Sequence, residues 1–203
     1  MEDRVREAID AIRAGKPVLL PTDTVYGLCA TAYRDEPVWR LYTLKGRDEV
    51  QPTALVASSV DMLFECVPEL RGRGGVIART LLPGPYTLIL ANPARRYRWL
   101  TGRRSDAIGV RVPDLPEASR QVLEAVGCVA ATSANEPGGT DPATLDEVPE
   151  RIRSACAAEI DAGPLPGTAS TVIDFTGPEA VVIRDGAALA AEAVERVREV
   201  LPG

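Results

Sequence analysis

Short apolar runs bounded by proline or glycine recur along the chain, and the way they are joined restricts the fold. Pro17-Val18-Leu19-Leu20-Pro21 reads as a buried strand, and a short polar turn separates it from a second strand over residues 26–32. Neighbouring strands joined so tightly pair antiparallel, because a parallel return needs a crossover of a dozen or more residues. Further strands are expected over 53–57, 86–90, 108–112, 128–131, 172–174 and 181–183, the last two joined by a hairpin turn at Gly177-Pro178. Others are separated by helical patterns. Hairpins beside helical crossovers predict an α/β fold with a mixed sheet covered by helices, not a barrel or a pure parallel fold.

The helical segments follow the 3.6-residue period. Val5, Ala8, Ile9 and Ile12 form a stripe over residues 3–14, which Gly15 stops. Asp35 is expected to cap a helix to about Leu44, and Ser59 one holding Met62 and Leu63. Pro68 opens a helix weakened by Gly72, Gly74 and Gly75. An amphipathic helix covers 116–126, a Thr144/Glu147 capping box starts one reaching about Ala155, and 187–201 closes the chain. A length of 203 residues suits one domain with a full core, and no linker-like run divides it. The expectation is a single domain over 1–203 with no second C-terminal domain. No apolar run approaches the roughly 18 residues of a membrane span. The charged opening MEDRVREAID argues against a signal peptide. A cytoplasmic protein without membrane contact is expected.

Lys and Arg number 23 against 29 Asp and Glu, a net charge of −6, which disfavours non-specific nucleic-acid binding. Arg95, Arg96, Arg98, Arg103 and Arg104 form the one basic cluster, read first as a solvated loop. Histidine is absent, which removes Ser-His-Asp, Cys-His and His-zinc chemistry. The four cysteines form no CxxC pair and read as small buried residues. The segment from Gly72 to Ile77 fails G-x-G-x-x-G, and no P-loop exists.

What remains is polar residues at strand ends. Thr22-Asp23-Thr24 sits between two strands, Lys45-Gly46-Arg47 follows a helix, and Arg111 lies inside an apolar strand, where a charge requires a fixed anionic partner or ligand. Thr132-Ser133-Ala134-Asn135 follows a strand end, where open α/β sheets bind ligands. The cations Lys45, Arg47, Arg111 and Arg184, with a ring of hydroxyls and an amide, suit a triphosphate and a small polar acid. They offer no protein nucleophile.

PTDTVYGL, KGR, PGPYT, GVRVP, TSAN, STVID and VIRDG occur in that order between residues 21 and 186. Together they resemble the YrdC-like family of threonylcarbamoyl-AMP synthases, in its short form. The resemblance implies a twisted mixed sheet around a concave cavity, and an enzyme joining L-threonine, bicarbonate and ATP into threonylcarbamoyl-adenylate with release of pyrophosphate. A separate threonylcarbamoyl-transferase complex then modifies the tRNA adenosine beside the anticodon. Carried over motif by motif, Thr22, Thr24, Tyr26, Thr87 and Arg111 would hold threonine, Arg111 by its carboxylate. Lys45 and Arg47 would act on the ATP phosphates as the catalytic pair. Ser133, Asn135, Ser170 and Arg184 would hold nucleotide. Mg²⁺ would accompany ATP, with no protein ligand assigned.

Four positions depart from the pattern. Asp23 stands where the family often has Glu, Asp48 where it commonly has Pro, and Gln51 and Val56 where some members place Asn and His. The rival readings are a non-catalytic paralogue that binds nucleotide and an RNA-binding module. The latter lacks stacking aromatics, which are only 4% of residues.

Overall fold

The computed structural model describes residues 1–46, 48 and 51–201. Nine strands form one sheet: β1 (Val18–Pro21), β2 (Tyr26–Thr31), β3 (Ala54–Val56), β4 (Tyr86–Ala91), β5 (Ala107–Arg111), β6 (Val129–Ser133), β7 (Ala158–Glu159), β8 (Thr171–Asp174) and β9 (Val181–Arg184). The helices are α1 (Glu2–Arg13), α2 (Asp35–Lys45), α3 (Val60–Cys66), α4 (Arg73–Leu81), α5 (Glu117–Val126), α6 (Glu150–Arg153) and α7 (Ala190–Val200). The strand order is β7-β1-β2-β6-β3-β5-β4-β8-β9. β1 pairs β2 antiparallel as the tight turn requires, whereas β3 with β5 and β4 with β8 are parallel. The sheet is therefore mixed, as the linkages predict.

Strand alternation divides the sheet into two unequal faces. Leu28, Ala30, Leu55, Leu88, Leu90, Ile108, Val110, Ala130 and Ile173 point to one side, where α2, α3, α4 and α7 bury them beneath Val38, Leu41, Leu63, Ile77 and Ala193. Val18, Leu20, Cys29, Val56 and Val129 point the other way, against Val5, Ala8 and Ile12 of α1 and Val122 and Leu123 of α5. These two helices cover only part of the second face, and its uncovered part is the concavity described below. Among the described residues no helix is long and apolar enough to cross a membrane.

Local chemistry explains where expectations met the structure and where they failed. Ser59 caps α3, its hydroxyl accepting from Met62 N at 3.1 Å. Asp35 is not the cap of α2. It is the first helical residue, and its carboxylate accepts instead from Glu36 N at 2.8 Å. The helix expected from Pro68 begins only at Arg73, behind Gly72. The helix expected from Thr144 is broken into a 3₁₀ turn over Leu145–Glu147 and the short α6, because Pro149 between them lacks an N–H and disfavours helix at the residue before it. Glu147 caps one residue early, accepting from Ala143 N at 2.7 Å. The two-residue β7 was not expected; it pairs parallel with β1.

Candidate active site

A cavity of about 660 Å³ occupies the uncovered sheet face, within the range of small-molecule sites. Its floor is made of Gly27, Ala54, Ala107, Gly109 and Ala131, from β2, β3, β5 and β6. Small residues leave the space open where their core-facing neighbours are large. At Gly109 an added Cβ would lie 3.8 Å from Thr87 Cγ2, so a methyl fits and anything longer rises into the cavity.

The turn between β1 and β2 closes one end. Thr22 Oγ1 donates to Val25 O at 2.8 Å and accepts from Thr24 N and Val25 N at 3.3 and 3.2 Å. Its single proton being used, it accepts from Thr24 Oγ1 at 3.1 Å, which leaves Thr24 Oγ1 to accept from Arg111 Nη2 at 2.7 Å. Asp23 accepts from the same Nη2 with one oxygen and from Asp114 N, at 3.2 Å, with the other. The fixed anionic partner required by Arg111 is thus Asp23, and both side chains are nearly buried. Burial pulls the Arg111 guanidinium down from its ordinary value, and the Asp23 charge opposes that. Arg111 Nε is buried with no partner, as is Thr53 Oγ1, and both residues line the cavity.

On the far side Arg184 folds back from β9 and donates to Ser170 O from Nε and Nη2, at 3.0 and 2.7 Å. Ser170 Oγ lies 2.8 Å from Thr87 Oγ1. The backbone after Arg184 passes so close that a Cβ on Gly186 would stand 2.3 Å from Ala169 O, which only glycine permits. Asp174 of β8 faces the cavity too. Its oxygens accept from Arg104 Nη1 at 2.6 Å and from Thr176 N and Oγ1 at 2.8 and 2.6 Å. Burial pushes its carboxyl up, but these bonds outweigh burial and hold it below its ordinary value.

At the edge between α2 and β6, Lys45 Nζ donates to Ser133 O and Asn135 Oδ1 at 2.8 and 2.7 Å, and Ser133 Oγ donates to the same Asn135 oxygen at 2.8 Å. Asn135 Nδ2 donates to Gly139 O and Asp141 Oδ1. Lys45 is a buried residue at the end of α2, not a free cation beyond it.

Of the residues expected from the motifs, Thr22, Thr87, Arg111, Ser133, Ser170 and Arg184 line this one cavity. Thr24 bonds Arg111 from behind, Lys45 and Asn135 bond Ser133, and Arg47 lies outside the described residues. Tyr26 is a correction. It belongs to the helix-covered face with Leu28, and its hydroxyl shares its one proton between Asp161 Oδ1 and Gly163 O, so it does not shape the cavity wall. Val56 lines the cavity. The motifs missed Thr53, Arg103, Arg104 and Asp174. The two arginines were visible as part of the basic cluster, and Asp174 as the last residue of STVID.

The model of the Sua5/YciO/YrdC family, described as telomere recombination, matches residues 10–186. This chain belongs to the Sua5/YciO/YrdC family. A Mycobacterium tuberculosis protein provisionally named threonylcarbamoyl-AMP synthase is 32% identical over 96% of this chain and 87% of its own length. The Pyrococcus abyssi threonylcarbamoyl-AMP synthase is 34% identical over 97% of this chain, which spans 57% of that protein. The crystal structure of Pyrococcus abyssi Sua5 complexed with L-threonine superimposes with a TM-score of 0.86 at 32% identity, over 100% of this chain and 58% of that one. The Sua5/YciO/YrdC architecture is therefore the mixed sheet with its half-covered face.

Proposed function

We propose that this chain synthesises threonylcarbamoyl-adenylate from L-threonine, bicarbonate and ATP, releasing pyrophosphate. The observation that carries the reading is one cavity in which Arg111, Ser133, Ser170 and Arg184 converge from β5, β6 and the ends of β8 and β9. The related Pyrococcus abyssi Sua5, crystallised with L-threonine, supports it.

The chemistry needs two bonds. The threonine nitrogen attacks the carbon of CO₂, drawn from bicarbonate, and loses a proton to give a carbamate. A carbamate oxygen then attacks the α-phosphorus of ATP in line as the bond to the bridging oxygen breaks and pyrophosphate leaves. Both reactants are anions, so the protein's task is to hold them together and offset their charge. Arg111, fixed by Asp23 and Thr24, faces the amino-acid carboxylate. Ser133, Ser170 and Arg184 hold nucleotide. Lys45 keeps Ser133 and Asn135 in place and adds positive potential at that edge. Arg103 and Arg104, exposed on the cavity wall, face the triphosphate, and Arg47 is the further cation that the KGR motif assigns to it.

Mg²⁺ fits as a passenger of the nucleotide. Among the described residues no group of three or more acidic, cysteine or histidine side chains could hold a metal ion, and the cavity carboxylates Asp23 and Asp174 already bond Arg111 and Arg104. Bound to phosphates, Mg²⁺ would neutralise charge on the leaving group. The product is a reactive mixed anhydride. It suits transfer of the threonylcarbamoyl group to a tRNA adenosine by a separate transferase complex.

Pyrophosphate release from ATP, measured without RNA, tests the reading. It must require both threonine and bicarbonate. Nucleotide binding without turnover would leave the non-catalytic paralogue; RNA binding without turnover, the RNA-binding module.

A further inference from the structure

Away from the cavity, on the helix-covered side, two cysteines meet. Cys66 is the last residue of α3 and Cys128 directly precedes β6, a separation of 62 residues. Their sulfurs lie 2.6 Å apart, with the Cys128 thiol donating to Cys66 Sγ. Both are free thiols, as are Cys29 and Cys156.

Both are small buried residues of the core, as expected, and their polar neighbours set them apart from its aliphatic members. Tyr33 Oη accepts from Cys128 N at 3.1 Å and lies in hydrogen-bond contact with Cys66 Sγ at 3.3 Å. Tyr97 Oη donates to the Cys66 carbonyl at 3.4 Å and packs against Tyr33, ring centres 6.2 Å apart. The Cys128 thiol, against the opposing effect of burial and with help from Tyr33, lowers the Cys66 thiol to about 7. Cys128 is pushed up by the same bond and by burial. Burial raises Cys29 and Cys156 to about 12. Exposure separates the roles: Cys66 keeps 9% while Cys128 has 0%.

We propose that Cys66 and Cys128 form a reversible redox site, in which hydrogen peroxide oxidises the pair to an intramolecular disulfide. The Cys66 thiolate attacks one peroxide oxygen and the O–O bond breaks. The departing hydroxide takes a proton to become water, leaving a sulfenic acid on Cys66. Cys128 gives up its proton and attacks the Cys66 sulfur. The S–O bond breaks, and the hydroxide released takes that proton as a second water. Two electrons pass from the thiols to the peroxide, which is reduced to two waters. A dithiol returns the pair to its starting state by exchange. Unlike a chance surface oxidation, the reaction needs only the short approach of two sulfurs already in contact, against a bond length of about 2.05 Å.

The test uses the whole native chain and dilute hydrogen peroxide. After quenching, the protein is unfolded in an alkylating reagent and its peptides are mapped by mass. The expected product is one linkage joining Cys66 to Cys128, removed by dithiothreitol, with Cys29 and Cys156 still alkylated. Cys66 should react at least about tenfold faster than the more exposed Cys156, because the thiolate is the nucleophile. In Cys128→Ser, Cys66 should stop at a sulfenic acid that a cyclic dione traps. The wild-type map stands by itself should that variant not fold. Full alkylation of Cys66 and Cys128 after Cys156 has been oxidised overturns the proposal. So does a linkage made through any other cysteine.

Discussion

Lys45 Nζ donates to Asn135 Oδ1 at 2.7 Å across a separation of 90 residues, and the same oxygen accepts from Ser133. One ammonium thus ties the end of α2 to the turn after β6. Lys45→Ala removes a charged donor from two buried acceptors. Hydrogen bonds to charged groups are worth about 1.5–3 kcal/mol, so the variant should lose stability as well as activity. Urea unfolding and pyrophosphate release, measured together, check this. An unchanged urea midpoint with lost turnover would show that Lys45 serves the phosphates alone.

Asp23 and Arg111 should behave as a unit. Asp23→Asn leaves a guanidinium buried without its counter-charge, a change that costs about 3–5 kcal/mol when a buried pair is broken. Asp23→Asn with Arg111→Met should cost less than the sum of the single changes. A double-mutant cycle by chemical unfolding gives the coupling. Strict additivity would mean that the pair is worth nothing to the fold. Threonine affinity, read by calorimetry, should fall in every member that lacks Arg111, by roughly tenfold or more if one charge-assisted bond is lost.

Gly109 controls volume rather than stability. Gly109→Ala adds a methyl at ordinary contact distance from Thr87 and should leave both thermal midpoint and turnover near wild type. Gly109→Leu should fold and lose substrate binding, because the side chain enters the cavity. Circular dichroism and pyrophosphate release distinguish the two effects. A fully active Gly109→Leu enzyme would place the substrates elsewhere.

The Asp174 carboxyl carries a pH signature. Its folded-state value lies below the ordinary 3.8, so its stabilising bonds are complete above that pH and are lost as pH falls through the folded value. Wild type should exceed Asp174→Asn in urea midpoint near neutrality, and the two should converge as the pH drops below about 4. A gap that stays constant across that range would rule out the carboxylate charge as its source.

Much of the fold was legible because local rules and tertiary packing agree. Ser59 before an apolar stripe is a cap in sequence and in structure, and the tight turn after Pro21 forces the antiparallel pair it suggests. Tyr26 was misread because every residue of β2 is buried, so burial shows no alternation and the chain alone does not say which face holds the cavity. β7 has two residues and no pattern to detect. In the candidate site, the motif residues that bond one another lie far apart in the chain, as Thr87 and Ser170 do. Asp174 and Arg104 carry no local signal of their pairing, because 70 residues separate them. The basic cluster dissolves in the same way: Arg96 grips Glu69 with two bonds of 2.7 Å, while Arg104 turns to the cavity.

The floor of Gly27, Ala54, Ala107, Gly109 and Ala131 withholds from this sheet the bulk that would draw a further helix onto it. The folded chain therefore shapes its cavity with its own backbone. A ligand that binds only the folded chain through contacts on that floor stabilises it by mass action. Saturating nucleotide should thus raise the melting temperature with ligand concentration while leaving the backbone amide protection pattern of β3, β5 and β6 unchanged in kind.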